Sequence, residues 1–230
     1  MGSIKVLVTG ASGQLGKTIE ELYKENDFNI EFIFFDKSNF DITDKPQINQ
    51  IFNQRKFDYC INCAAYTNVE QAEKTTQLAY EINAEGVKNL ALVCKANNVI
   101  LIHISTDYVF DGEKSEPYTV DDTPNPINEY GKSKLLGEQY IEETILQYFI
   151  VRTSWLYSKK HGNNFYKTIL KKAEKDIELY ITDEQIGCPT NTVNLSKFII
   201  DIIHFNNKNF GIFHFCDKKA MSWYYFSLQI

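Results

Sequence analysis

The sequence predicts an α/β protein built on a doubly wound parallel sheet with helices on both faces. Three observations carry that expectation. Short apolar runs alternate with longer stretches of helical periodicity, as crossovers between parallel strands require. Gly10, Gly13 and Gly16 sit where the first apolar run gives way to the first amphipathic stretch. Asp36 closes the second apolar run, at the carboxyl end of a strand.

Taken in order, Ile4–Thr9 is a continuous apolar run ending in glycine, and Leu15–Lys24 is amphipathic. Ile30–Phe35 reads as a second buried strand. Lys45–Arg55 reads as a helix, with Thr43 or Asp44 as N-cap and Pro46 in its first turn. Phe57–Ala64 is the third strand, Leu78–Asn97 a helix and Val99–Ser105 the fourth strand. Glu129–Leu146 is a further helix and Tyr148–Thr153 the fifth strand. After Trp155 the rhythm loosens. Asn164–Glu174 and Leu195–Phe205 read as helices, Ile177–Ile181 and Gly211–Phe215 as strands, and Met221–Ile230 opens as a helix. Residues 1–155 are therefore expected to form one domain, and 156–230 the last sheet elements plus a smaller lobe.

The chain has 230 residues, 24 basic against 30 acidic. Only Arg55 and Arg152 are arginine and the lysines are scattered, so a nucleic-acid surface is not expected. No apolar run reaches the roughly 18 residues a membrane span needs. The start carries neither a signal peptide nor, with Val6 in place of Ser or Thr, a myristoylation pattern. Cys60 and Cys63 have the spacing of a redox or zinc pair. They lack both the helix N-terminus that a reactive thiolate wants and the second pair that a structural zinc wants. They read as small residues of a buried strand, in a reducing cytoplasm.

Two patterns carry chemistry. Gly10-Ala-Ser-Gly13-Gln-Leu-Gly16 lies between a strand and a helix, where the backbone turns sharply and the helix N-terminus faces an anion such as a pyrophosphate. Asp36 then stands where a carboxylate would accept hydrogen bonds from adenosine ribose hydroxyls, although Lys37 and Ser38 leave the choice between NAD and NADP open. The second pattern is Ser105-Thr106-Asp107 after the fourth strand, followed by Tyr130-Gly-Lys-Ser-Lys134. The i, i+4 spacing places Tyr130 and Lys134 one helical turn apart on one face. An ammonium beside a phenol is expected to lower its pKa and so suit it to proton transfer to a carbonyl oxygen. A Thr106 hydroxyl would orient that carbonyl.

These residues resemble the extended short-chain dehydrogenase/reductases, and more narrowly the dTDP-4-dehydrorhamnose reductase family, over essentially the whole chain. The resemblance rests on Gly10–Gly16, on Asn62-Cys-Ala-Ala65-Tyr66-Thr67 with Val69 and Glu73, on Ser105-Thr-Asp-Tyr-Val-Phe-Asp-Gly112 and on Tyr130-Gly-Lys-Ser-Lys134. Arg152-Thr-Ser-Trp155-Leu-Tyr157, Gly162-Asn-Asn-Phe165 and Gln185-Ile-Gly-Cys-Pro-Thr190 complete it. It implies reduction of the 4-keto group of dTDP-4-dehydro-L-rhamnose by NADPH or NADH, giving dTDP-L-rhamnose for cell-surface polysaccharide. Tyr130 would be the proton donor, Lys134 its electrostatic partner and a cofactor ribose ligand, and Thr106 the tuning hydroxyl. Cofactor contacts are implied at Gly10, Gly13, Gln14, Leu15, Gly16, Asp36, Asp41, Ile42, Ala65, Tyr66, Thr67, Tyr130 and Lys134. Thr106, Asp107 and Trp155 would touch the sugar nucleotide, and Asn83 would support the catalytic region.

A sugar-nucleotide dehydratase would need Asp-Glu after the Thr; here Tyr108 follows Asp107. The competing reading from another class is a non-catalytic NADP-binding subunit resembling the regulatory subunit of methionine adenosyltransferase. Mg2+ has no readable site, and the resemblance leaves it and a homodimer open. The family continues past the equivalent of Ile230, so the sugar-nucleotide lobe is expected to be carried only in part, with apolar surface exposed near Trp223–Leu228.

Overall fold

The computed structural model describes residues 2–25, 28–175, 177–217 and 219–230. Its centre is a parallel sheet of β1 (Ile4–Thr9), β2 (Ile30–Phe34), β3 (Tyr59–Asn62), β4 (Ile100–Thr106), β5 (Tyr148–Thr153) and a late strand, β9 (Gly211–His214). The spatial order is β2-β1-β3-β4-β5-β9. The chain therefore winds outward from β1 in both directions, and a crevice opens between the carboxyl ends of β1 and β3, where such sheets bind ligands.

Alternation along the strands decides which helix covers which face. Leu7, Cys60, Leu101 and Ile150 point into one core with α2 (Lys45–Gln54), α5 (Val87–Asn97) and α6 (Glu129–Thr144). Val6, Val8, Ile61, Ile102 and Val151 point into the other, under α1 (Gln14–Tyr23) and α8 (Thr192–His204). Local chemistry fixes the ends: Asp44 caps α2 by accepting from the Gln47 N–H at 3.0 Å, with Pro46 behind it, and Asn128 caps α6 from Gly131 at 2.8 Å.

The region expected as one helix over 78–97 is broken. After α3 (Val69–Lys74) come α4 (Thr76–Tyr80), a π-helical turn (Glu81–Gly86) and only then α5. Asn83 lies in the π turn, fully buried. Nor do residues 177–181 form the expected strand. Ile177 and Tyr180 are 49% and 91% exposed, so there is no burial to repay an edge ladder. The later elements are short: β6 (Leu156–Tyr157) pairs with β8 (Thr190–Asn191), and β7 (Ile186–Gly187) with β10 (Met221–Ser222). α7 (Phe165–Ala173) lies between β6 and β7, and α9 (Trp223–Ser227) follows β10. Tyr224, Tyr225 and Leu228 are exposed.

One buried ion pair ties α6 to the sheet. Arg152 of β5 donates through Nε and Nη2 to both oxygens of Glu138, at 2.6–3.1 Å, with the two side chains 4% and 0% exposed. The guanidinium also sits 5.2 Å from the Phe110 ring centre. Removing one partner of such a pair leaves an uncompensated buried charge. Glu138→Gln should therefore destabilise the fold by about 3 kcal/mol in urea unfolding; a midpoint within error of the parent would show that the pair is replaceable.

Candidate active site

The glycine turn fills the crevice between β1 and β3. Gly10 has φ +62°, and a Cβ there would lie 2.6 Å from the Ala64 N. At Gly16 a Cβ would meet the Ala11 Cα at 2.6 Å, so the helix can start this close to the turn only without side chains. Gly13 stands at the N-cap of α1 and offers no side-chain cap, whereas α2, α3, α6, α7, α8 and α9 are each capped by a side chain. The backbone N–H groups of Gln14, Leu15 and Gly16 are the first-turn donors that an α-helix cannot satisfy itself. An uncapped first turn over a glycine cradle fits the diphosphate of a dinucleotide.

The other expected cofactor residues stand around this crevice in different ways. Asp36 follows β2, but its Oδ1 already accepts from Ser38 N, Ser38 Oγ and Asn39 N at 2.9, 2.6 and 3.2 Å. Those bonds hold its carboxyl below the usual range, the Ser38 hydroxyl contributing most, and none of them reaches Oδ2. Asp41 is likewise engaged, accepting from Thr43 N and Oγ1 at 2.9 and 2.8 Å. Ile42 is 3% exposed; its side chain is core, and its carbonyl accepts from Asn89. Ala65, Tyr66 and Thr67 follow β3, and their loop is held by Asn83, which accepts from Tyr66 N at 2.8 Å and donates to Tyr66 O at 3.0 Å. Asn83 also donates to Ser133 of α6 at 3.0 Å, so one buried amide joins the loop to α6.

Tyr130, Lys134 and Thr106 do come together at the carboxyl end of β4. Thr106 is 5% exposed; its hydroxyl accepts from Tyr108 N at 3.2 Å and donates to Asp107 Oδ1 at 3.2 Å. The Tyr130 phenol shares a hydrogen bond with Thr106, and its ring lies edge-on to Tyr108 at 5.6 Å. The expected lowering of its pKa is not found. Burial pushes the phenol up, the Thr106 hydrogen bond offsets only part of this, and Asp107 and Tyr108 add to the rise. The reason lies at Lys134: it is 1% exposed, and its Nζ is spent on Ile104 O at 2.7 Å and His103 Nε2 at 3.1 Å. Burial in turn lowers the lysine to about 8. A phenol kept protonated is what a proton donor requires before it reacts.

Trp155 adopts φ +45° and stacks on Trp223 with ring centres 3.5 Å apart, so one face of the indole is already covered. Gln14, expected as a cofactor contact, uses its side chain elsewhere. It donates to Leu156 O at 3.0 Å and accepts from Asn164 at 3.0 Å, latching residues 156–164 onto the start of α1. Lys160 and His161 both reach Glu21 of the same helix. Nothing in the sequence pattern signalled this latch. His103 was also overlooked, although strand alternation places it on the face of Ser105, under α6. Cys60 is buried in β3, and burial raises the Cys63 thiol, so neither is poised to react. Among the described residues no group of three His, Cys, Asp or Glu could hold a metal ion, and no helix is long and apolar enough to cross a membrane.

A glycine cradle at the switch point of a parallel sheet, with a Tyr–Lys pair and a strand-end Thr at the same edge, defines a short-chain dehydrogenase/reductase of the extended type. Within that class, the chain belongs to the family described as RmlD substrate binding domain, matched over residues 4–230. It is 39% identical over 230 residues to dTDP-4-dehydrorhamnose reductase of Aggregatibacter actinomycetemcomitans, covering 98% of this chain and 78% of the relative. It is 40% identical over 226 residues to a spore coat polysaccharide biosynthesis protein of Bacillus subtilis, with the same coverage. The crystal structure of dTDP-4-dehydrorhamnose reductase from Bacillus anthracis in complex with NADP superposes with a TM-score of 0.94 at 41% identity, over 100% of this chain and 80% of that one. The ortholog from Clostridium acetobutylicum gives 0.93 at 43% identity, over 98% and 79%.

Asp107 provides a test of the site's electrostatics. Burial raises its carboxyl to about 6, against the usual 3.8. A carboxyl raised on folding favours the folded state while protonated; that contribution is full below about 4 and is lost as pH rises through about 6. Relative to Asp107→Asn, the parent should lose on the order of 1–2 kcal/mol of stability between pH 4 and 7. Parallel stability curves for the two proteins would mean that the carboxyl is solvated.

Proposed function

We propose that this protein reduces the 4-keto group of dTDP-4-dehydro-L-rhamnose with NADPH or NADH, giving dTDP-L-rhamnose. The observation that carries the reading is the meeting of Tyr130, Thr106 and Lys134 beside the glycine cradle, in a chain whose relatives are named as reductases of this ketone. NAD(P)H, when bound, supplies the hydride to C4. The Thr106 hydroxyl orients the ketone oxygen, and Tyr130 donates its phenolic proton to that oxygen as negative charge develops. The Lys134 ammonium, one turn along α6, stabilises the phenolate that remains. The N–H groups of Gln14, Leu15 and Gly16 would hold the cofactor's diphosphate, and the Ala65–Thr67 loop would line the crevice beside it. Residues 1–155 form the dinucleotide domain. Residues 156–230 add the last sheet elements and part of the lobe in which Asp107 and Trp155 meet the sugar nucleotide.

A non-catalytic NADP-binding subunit is not favoured, because relatives matched over nearly the whole of this chain carry reductase names. A dTDP-sugar is the partner this site accommodates, and the acidic balance of the chain argues against nucleic acid. A cytoplasmic setting suits its five free cysteines.

Tyr130→Phe keeps the ring's packing and removes the proton. It should lower kcat by about 10²–10⁴-fold, the contribution of a positioned acid, with NADPH affinity unchanged by fluorescence titration; near-normal turnover would sink the mechanism. In the parent, kcat should fall as pH rises through about 8, where Lys134 loses its ammonium. A rate that stays flat past that pH would remove lysine from the reaction. Asp36→Ala should shift the ratio of kcat/KM values toward NADPH, by removing a carboxylate that repels a 2′-phosphate; an unchanged ratio would make Asp36 a turn residue only.

A further inference from the structure

The chemistry above leaves His103 without a task. It lies inside β4, fully buried, between two polar partners. Lys134 Nζ is 3.1 Å from Nε2, and Asn62 Nδ2 is 3.0 Å from Nδ1. Asn62 Oδ1 receives the Thr9 hydroxyl at 2.6 Å and the Ala64 N–H at 3.2 Å. A single chain of hydrogen bonds therefore runs from the lysine of α6, through the ring, to the residue packed against Gly10 in the crevice.

We propose that His103 is a positioning residue for the reduction: a permanently neutral ring that holds Lys134 Nζ at the end of β4 and couples its protonation to the Asn62–Ala64 corner of the dinucleotide crevice. The proposal rests on the roles given to Tyr130 and Lys134 above.

Proton bookkeeping leads there. A neutral imidazole has one N–H and one lone pair. With the Asn62 amide oriented as in the structure, its NH2 donates to Nδ1, so the ring proton sits on Nε2 and is donated to Nζ. Nζ is then a free amine, still donating to Ile104 O. Adding one proton gives the second arrangement. The Nε2 proton passes to Nζ, making the ammonium, and the added proton is taken up at Nδ1. Asn62 turns its amide over to accept from Nδ1–H, and its NH2 donates to Thr9 Oγ1, which also receives the Ala64 N–H at 3.3 Å. The two arrangements differ by one proton at Lys134, and the second takes from the Thr9 hydroxyl its acceptor on Asn62. A doubly protonated ring would place Nε2–H against the ammonium, and burial together with Lys134 holds the ring's proton affinity far below that of an ordinary histidine. The other titratable groups around the pair are Glu138 of α6, bonded to Arg152 of β5, Cys63 after β3 and Tyr130 one turn back.

The two amide replacements separate positioning from filling space. His103→Gln places an amide near the Nε2 position and reaches Lys134; His103→Asn places one near Nδ1 and reaches only Asn62. The Gln variant should keep kcat within about 3-fold, whereas the Asn variant should lose about 10- to 100-fold, the effect of misplacing a group of the reaction. Its KM for the dTDP-ketone should be unchanged and its basic pH limb displaced. In the unmutated protein without dinucleotide, imidazole nitrogen NMR should show a ring that stays neutral from about pH 5 to 9 and exchanges tautomer as Lys134 titrates near 8. Equal losses in the two variants with an unmoved pH profile would overturn the proposal, as would a ring that protonates in the ordinary imidazole range. An unmutated chain that oxidises no NADPH with the dTDP-ketone sinks the reductase reading instead, and the nitrogen spectra then decide the ring's coupling to Lys134 on their own.

Discussion

The active edge depends on how α6 is drawn onto the ends of β4 and β5. The Glu138–Arg152 pair clamps the middle of the helix to the sheet, with both side chains shut away from water. One turn earlier, Lys134 Nζ reaches the Ile104 carbonyl and His103, and at the start Asn128 caps the first turn. Those fixings leave Tyr130 at the strand end beside Thr106. A buried ion pair contributes little net stability against an apolar substitute, because desolvation consumes most of its Coulomb energy. Its value here is registry: it fixes which turn of the helix meets the sheet, and so where a phenol and an ammonium stand.

A second set of contacts brings the later part of the chain to the same edge. Gln14, at the opening of α1, holds Leu156 and Asn164, while Glu21, two turns along the same face, holds Lys160 and His161. The helix that opens without a side-chain cap over the glycine cradle is thereby also the anchor for the segment leading to α7. Trp155, in a left-handed backbone conformation, turns the chain out of β5 and into its stack with Trp223. These bonds connect the cradle to the aromatic cluster of Trp155, Phe165, Trp223 and Phe226.

The sheet was legible in the sequence because its signals are local. The apolar runs, Asp44 with Pro46, and the glycines after β1 each announce an element within a few residues. The positions of Thr106, Tyr130 and Lys134 followed from strand end and helical spacing. What was hidden depends on partners far along the chain. The π turn at 81–86 has no mark in the local pattern, and its Asn83 bonds to Tyr66 and Ser133, which lie far along the chain; residues 177–181, with Ile177 and Tyr180 exposed, form no strand. Spacing put Lys134 beside Tyr130 but could not show that its Nζ is already committed to β4, or that burial would outweigh charge at the phenol. The same limit hid the Gln14 latch and His103, whose meaning appears only when β3, β4 and α6 are side by side.

The central claim is that the scaffold holds this edge in place before any ligand arrives. A crystal structure of the protein with NADPH tests it most directly. The account predicts the diphosphate on the amides of Gln14, Leu15 and Gly16, the Glu138–Arg152 and Lys134–Ile104 bonds intact, and backbone shifts at the site of about 1 Å or less, as in preorganised sites. A dinucleotide bound away from the glycine turn, or an α6 that has left Arg152 to admit it, would contradict that claim.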